Sequence, residues 1–160
     1  MQKISFFKDL LLIFSLLTIL IACKKEFSDN LQVKNYLTKE KTLQHQLLND
    51  IWVLESTSDT PIDIQLYNPS QLPNLEFQLV SSKVFGHTGC NSLHGEFEIG
   101  NGNMLSIQNI ITTKKACSQL MKLEHEFLNQ LYSCKSYEIN EGKLSLYNGT
   151  EKTLIFKKVD

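Results

Sequence analysis

Apolar positions change their spacing repeatedly along this chain, and each change predicts a different element. Leu10 to Ala22 is an uncharged run of 13 residues, shorter than the roughly 20 that span a bilayer. Residues 24 to 36 (KKEFSDNLQVKNY) are polar and weakly patterned and read as a tether. Between Thr38 and Asn49, Leu43, Leu47 and Leu48 fall at helical spacing and predict a short amphipathic helix or turn. Ile51 to Glu55 is rich in aromatic and β-branched residues and predicts a strand. Ser56 to Pro73 holds Pro61, Pro69, Pro73 and Asn68 and predicts a loop, with one short strand at Ile62 to Tyr67.

Further on, Leu75 to Val80 alternates apolar and polar residues as a half-buried strand does. Val84 to Ile99 carries Gly86, Gly89 and Gly95, which predict bulges or a tight bend, as at a barrel corner. Gly100 to Asn103 forms a hairpin turn, and Met104 to Thr112 is its return strand. Ser118 to Tyr132 is the strong helix. Leu120, Leu123, Phe127, Leu128 and Leu131 share one face, and Ser118 suits the N-cap. Ser136 to Asn140, Lys143 to Tyr147 and Lys152 to Lys157 are closing strands, joined at Glu141-Gly142 and Asn148-Gly149. Strands, one helix, then strands predict an antiparallel α+β domain. Its form is a curved sheet or partly closed β-barrel with one main helix packed across it.

The run at Leu10 follows Lys3 and Lys8, ends in Leu20-Ile21-Ala22-Cys23, and gives way at once to Lys24-Lys25-Glu26. This pattern is similar to the lipobox of a bacterial lipoprotein, and it implies an acylated Cys23 with the preceding segment removed. The alternative is an N-terminal membrane helix with an incidental cysteine, but a true span would continue into more apolar residues. The expected organisation is a signal peptide at 1–22, a lipidated N-terminus with tether and short helix at 23–50, and the folded domain at 51–160. No aspartate follows Cys23 to match the inner-membrane retention signal of enteric lipoproteins, so an outer-membrane location is expected.

Charge removes some functions. The chain holds 16 lysines, no arginine and 17 carboxylates, for a net charge of −1. That balance offers no electrostatic footprint for nucleic acid. Without arginine the chain also lacks the side chain that clamps phosphate or carboxylate bidentately. With Cys23 acylated, Cys90, Cys117 and Cys134 remain, and in an oxidising compartment three thiols suggest one bridge in any of three pairings.

Two short motifs are more specific. One is Gly86-His87-Thr88-Gly89-Cys90-Asn91, followed by Gly95 and Phe97. The other is Thr112-Thr113-Lys114-Lys115-Ala116-Cys117, followed by Glu124, Phe127 and Leu131. With Trp52 and Leu54 upstream and Tyr137, Leu144, Leu146, Leu154 and Phe156 downstream, the chain from about Ile51 to Lys157 resembles the META domain family, including the HslJ-like bacterial lipoproteins. Lys115 stands where methionine is common, and Phe97 where tyrosine is common. The resemblance implies an envelope domain associated with stress tolerance, with no catalytic residues to carry across.

Several chemical candidates remain. A Cys90–Cys117 disulfide is the expected bridge, and the alternative is two buried free thiols. A reactive Cys117 would need a partnered histidine, and His87, His94 and His125 stand in no known nucleophile motif. His87, Cys90, His94 and Cys117 have a spacing suggestive of a metal, yet odd separations along a strand face opposite sides, so no metal site is expected. Glu124 and Glu126 point different ways on the helix and are no acid–base pair. Glu124, near the apolar stripe, is expected to cap or pair with a backbone group or a lysine. Asn148-Gly149-Thr150 is a hairpin turn rather than a glycosylation acceptor, and Trp52, Phe77, Phe127 and Tyr137 are core aromatics.

These readings converge on a non-enzymatic scaffold or binding module without cofactor, anchored to the membrane at Cys23. Its expected partner is another envelope protein, met through the loop Ser56 to Pro73 or the bend Gly86 to Gly95. The alternative is a module binding a small hydrophobic ligand such as an acyl chain, like the cracked barrels of secretin pilot lipoproteins.

Overall fold

The computed structural model describes residues 32–39, 42–57, 60–61 and 69–159. The apolar run, Cys23 and the strand expected at Ile62 to Tyr67 lie outside the described residues. Residues 1–40 and 41–160 form two compact units. In the first, residues 32–39 are helical, so the last part of the stretch read as a tether has regular structure.

The second unit is built on period-two burial. Trp52 and Leu54 point inward from β1 (Ile51–Thr57). A register shift between Leu54 and Ser56 sets Ser56 beside Ile155 on the outer face, and β1 also pairs with the two-residue β2 (Thr60–Pro61). Leu75 and Phe77 point inward from β3 (Asn74–Gln78), and Leu93, Gly95 and Phe97 from β5 (Ser92–Ile99). The other strands are β4 (Lys83–His87), β6 (Leu105–Thr112), β7 (Ser136–Asn140), β8 (Lys143–Asn148) and β9 (Glu151–Lys158). Every pairing is antiparallel, in the order β6-β5-β4-β3-β1-β9-β8-β7. The middle of the sheet is therefore a pair formed by its first and last strands, with hairpins extending to either side.

The sheet curls until its two ends meet at one corner. There Leu105 N–H donates to Lys135 O (3.0 Å), Tyr137 N–H donates to Asn103 O (2.9 Å), and Met104 bridges Ser136. The connection from β6 to β7 carries the core helix, Met121–Tyr132, whose Leu123, Phe127 and Leu131 are buried. The fold is thus a curled antiparallel sheet with a helix packed across it. The helix starts at Met121 rather than Ser118. Residues 118–120 form a turn closed by Leu120 N–H to Cys117 O (2.9 Å), and no side chain caps the first helical turn.

Helical residues 42–48 cover what the corner leaves open. Gln44 Nε2 donates to Ile139 O (3.0 Å) while its Oε1 accepts from Ile139 N–H (3.3 Å), pairing the edge of β7 as a neighbouring strand would. His45 Nε2 lies 3.1 Å from Gly102 O. Leu48 is fully buried, and its carbonyl accepts the Trp52 indole N–H (3.1 Å). The folded unit therefore takes in residues ahead of the Ile51 boundary suggested by sequence.

Glycines in Val84 to Ile99 do more than bend one strand. The segment is a hairpin, β4 and β5, that reverses at Thr88 to Asn91. A Cβ on Gly86 would overlap the Asn74 carbonyl oxygen across the β3–β4 ladder. Gly95 marks a bulge, where the β5–β6 register shifts between His94 and Glu96.

Side chains fill the interior. Trp52, Phe77, Phe127, Tyr137 and Phe156 are each at most 1% exposed. Phe77 meets Phe97 edge-on at 5.2 Å, and Phe127 meets Phe156 likewise at 6.3 Å. Cys134 joins this core, and burial pushes its thiol up to about 11. Burial also pushes the Tyr137 phenol up to about 12.

Leu48→Ala should lower the stability of the unit by about 2–5 kcal/mol in urea unfolding, the usual cost of emptying a core leucine site. A surface helix merely resting on the sheet would give a far smaller loss. Alkaline titration provides a second check. Because folding raises the Cys134 pKa from 9.0 to about 11, the unfolded thiol releases its proton first. Stability should hold below pH 9 and fall as pH rises toward 11, and Cys134→Ala should remove that part of the decline.

Candidate functional site

The two sequence motifs meet at one end of the curled sheet. Thr88-Gly89-Cys90-Asn91 is the turn of the β4–β5 hairpin, closed by Thr88 N–H to Asn91 O (2.8 Å) and Asn91 N–H to Thr88 Oγ1 (2.9 Å). Gly89 has φ +100°, a conformation that disfavours side chains, and a Cβ there would lie 3.0 Å from Gln71 O. The turn thus packs closely on the segment leading into β3.

From this turn Asn91, only 4% exposed, reaches two other parts of the fold. Its Oδ1 accepts from Thr113 Oγ1 (2.8 Å) and Lys115 N–H (2.7 Å). Its Nδ2 donates to Lys115 O (3.3 Å) and Glu124 Oε1 (2.8 Å). These four bonds use the full capacity of the amide. Thr88, completely buried, has its hydroxyl in hydrogen-bond contact with Glu124 Oε1 and with Asn91 O. Thr113 Oγ1 also accepts from Ser92 N–H (3.2 Å).

A disulfide joins Cys90 to Cys117 beside this network, with a Cα–Cα distance of 5.9 Å. The bridge and Asn91 together secure residues 113–117, which have no regular secondary structure of their own. Of the expected site residues, Cys90 and Cys117 are therefore brought together, and Cys134 is a buried free thiol elsewhere in the core. Glu124 corrects the sequence reading. Its partners are the side chains of Thr88 and Asn91 rather than a backbone group or a lysine. Thr88, which sequence offers only as part of the first motif, thus pairs with Glu124, and threonine three residues ahead of asparagine across a glycine is a turn signal.

The histidines are not gathered here. His87 Nδ1 accepts from Gly89 N–H (3.1 Å), and the His94 ring packs against Phe85 at 4.9 Å. His125 Nδ1 lies 3.2 Å from Asn129 Nδ2 on the core helix. With both sulfurs bridged, Cys117 offers no thiolate, and the His87, Cys90, His94 and Cys117 set does not form. Among the described residues no group of three or more His, Cys, Asp or Glu is arranged around a common metal position. What the arrangement does chemically is hold four chain segments in register.

Elsewhere, a shallow cleft of about 580 Å³ lies on the outer face of the β1-β9-β8-β7 half, with Ser56, Ser145 and Ile155 among its lining residues. Lys143 pairs with Glu55 across its rim at 2.7 Å.

The META domain family model matches residues 45–160. The chain belongs to the META domain family. The match begins at His45, close to the Gln44 and Leu48 contacts that fasten the helical residues to the sheet. No curated protein matches the chain significantly. Solved structures share this fold. A duf4847 family protein from Bacteroides vulgatus ATCC 8482 has 15% identity and a TM-score of 0.52, the match covering 71% of this chain and 96% of that one. A protein from Burkholderia xenovorans, determined by NMR, has 23% identity and a TM-score of 0.54, covering 71% of this chain and 85% of its own. A further NMR structure has 24% identity and a TM-score of 0.54, covering 71% and 92% respectively.

Asn91→Ala should lower the stability of the META domain by about 2–4 kcal/mol, because it removes all four hydrogen bonds made by a buried amide. Reducing the disulfide should cost about 3–4 kcal/mol by the chain-entropy estimate for its 27-residue separation. Both devices fasten the same segment, so the combined loss in urea unfolding should fall short of the sum. Full additivity would mean that the two act independently.

Proposed function

We propose that this protein is a lipid-anchored envelope protein whose META domain serves as a non-enzymatic scaffold or binding module. The observation that carries the non-enzymatic reading is the fate of the motif residues. Cys90, Asn91, Cys117 and Glu124 are engaged in a bridge and a saturated hydrogen-bond network. None of them is left as a nucleophile paired with a base. A stapled domain of this kind suits an oxidising compartment.

The anchor reading rests on Leu20-Ile21-Ala22-Cys23 and the abrupt return to charge at Lys24. Acyl chains on Cys23 would hold the protein on the membrane, since stable attachment takes more than one chain. The absence of an aspartate after Cys23 favours the outer membrane, and a role in envelope stress tolerance fits the family. The partner would be another envelope protein, meeting the loop before β3 or the β4–β5 hairpin. The acyl-chain alternative calls for an apolar cavity, and the aromatic and leucine side chains packed inside the sheet favour the scaffold instead.

Mass spectrometry of the N-terminal peptide from purified membranes should find Cys23 as the first residue, carrying acyl groups. Cys23→Ala should move the protein from the membrane fraction to the soluble one. Wild-type protein recovered unacylated in the soluble fraction would sink the anchor reading.

A further inference from the structure

We propose that helical residues 32–39 lie flat on an anionic membrane surface, as an interfacial element next to the lipid anchor. The inference rests on the anchor reading for its biological setting and on the geometry of this segment for its physics. Val33, Tyr36 and Leu37, at i, i+3 and i+4, form one apolar stripe, and they are 58%, 68% and 49% exposed. Lys34 and Lys39 fall on either side of that stripe at the helical pitch, and Asn35 and Thr38 fall opposite it. Lysines so placed can lay their stems along an interface and raise their charges to headgroup level. Thr38 Oγ1 donates to Lys34 O (2.9 Å), so the polar face is partly satisfied within the helix itself.

Position and charge name the occupant. Cys23 lies nine residues before Gln32, a reach of at most about 30 Å even when extended. The helix is therefore confined near any bilayer that holds Cys23. Residues 24–41 carry five lysines against three carboxylates, whereas residues 42–160 carry nine against thirteen. An anionic surface attracts the first set and repels the second. Such a segment would settle on the bilayer while the acidic remainder of the chain is held off it.

The test uses the chain from Cys23 to Asp160 coupled through the Cys23 thiol to a maleimide lipid in vesicles. Selectivity is built in, because Cys90 and Cys117 are bridged and Cys134 is buried. Tyr36→Trp supplies the probe, and buried Trp52 gives a constant baseline. In phosphatidylglycerol vesicles the emission of the introduced indole should shift to shorter wavelength and be quenched by lipids with brominated acyl chains. Val33→Asp in the same chain should abolish both effects. For the uncoupled chain, each of Lys34→Gln and Lys39→Gln should weaken partitioning about fivefold. Indole emission that stays water-like in the coupled chain, or quenching indifferent to Val33→Asp, would overturn the proposal. Coupling is chemical, so a protein found unacylated in cells would defeat the anchor reading without altering this readout.

Discussion

Four hydrogen bonds converge on one buried amide, the side chain of Asn91, and the packing of the whole motif end follows from them. Those bonds reach Thr113, both backbone groups of Lys115, and Glu124 in the first turn of the core helix. The irregular stretch after β6 has no ladder of its own, and Asn91 gives the Lys115 peptide groups fixed partners. Asn91 supplies them from a hairpin turn that is itself locked by Thr88. The disulfide secures the same segment by a different physical means, limiting the freedom of the unfolded chain rather than satisfying polar groups. One device gives geometry, and the other narrows the competing states.

A second amide repeats the device at the open side of the sheet. Gln44 donates to and accepts from Ile139 as a strand residue would, and so covers part of the β7 edge. Sheets that curl without closing keep two edges, and exposed edges recruit other strands. Here one corner is joined by the contacts around Met104 and Ser136, and the Tyr132 hydroxyl donates to Ile110 O (3.3 Å) on β6. Single side chains thus do at the rims what whole strands do in the middle.

Local periodicity made much of this fold readable from sequence. The inward residues of β3, the apolar face of the core helix, and the turns at Gly102, Gly142 and Gly149 follow from spacing and from the few residues that tolerate positive φ. Two errors share a cause. Val84 to Ile99 read as one bent strand because Gly86, Gly89 and Gly95 look alike in sequence, yet they serve three different ends: close approach, reversal and bulge. The helix read three residues too long because Ser118 suits an N-cap, whereas the turn before Met121 leaves it outside. The partners of Glu124 were out of reach altogether. They lie 33 and 36 residues away in sequence, and no local pattern records that distance.

The pairing of β1 with β9 has its own consequence for how the chain reaches this state. Residues 51–57 form the middle of the sheet only with residues 151–158, so the longest loop closure joins the two strands on which both halves lean. Closing so long a loop is entropically uphill until the contacts it permits have formed. As the chain emerges from N-terminus to C-terminus, β1 can pair with β3 early but gains its other neighbour only when Leu154 and Phe156 arrive. Losing the last ten residues would therefore remove the centre of the sheet rather than trim its rim. A sheet whose two halves are joined through residues 151–158 stays threadable until that strand has been made.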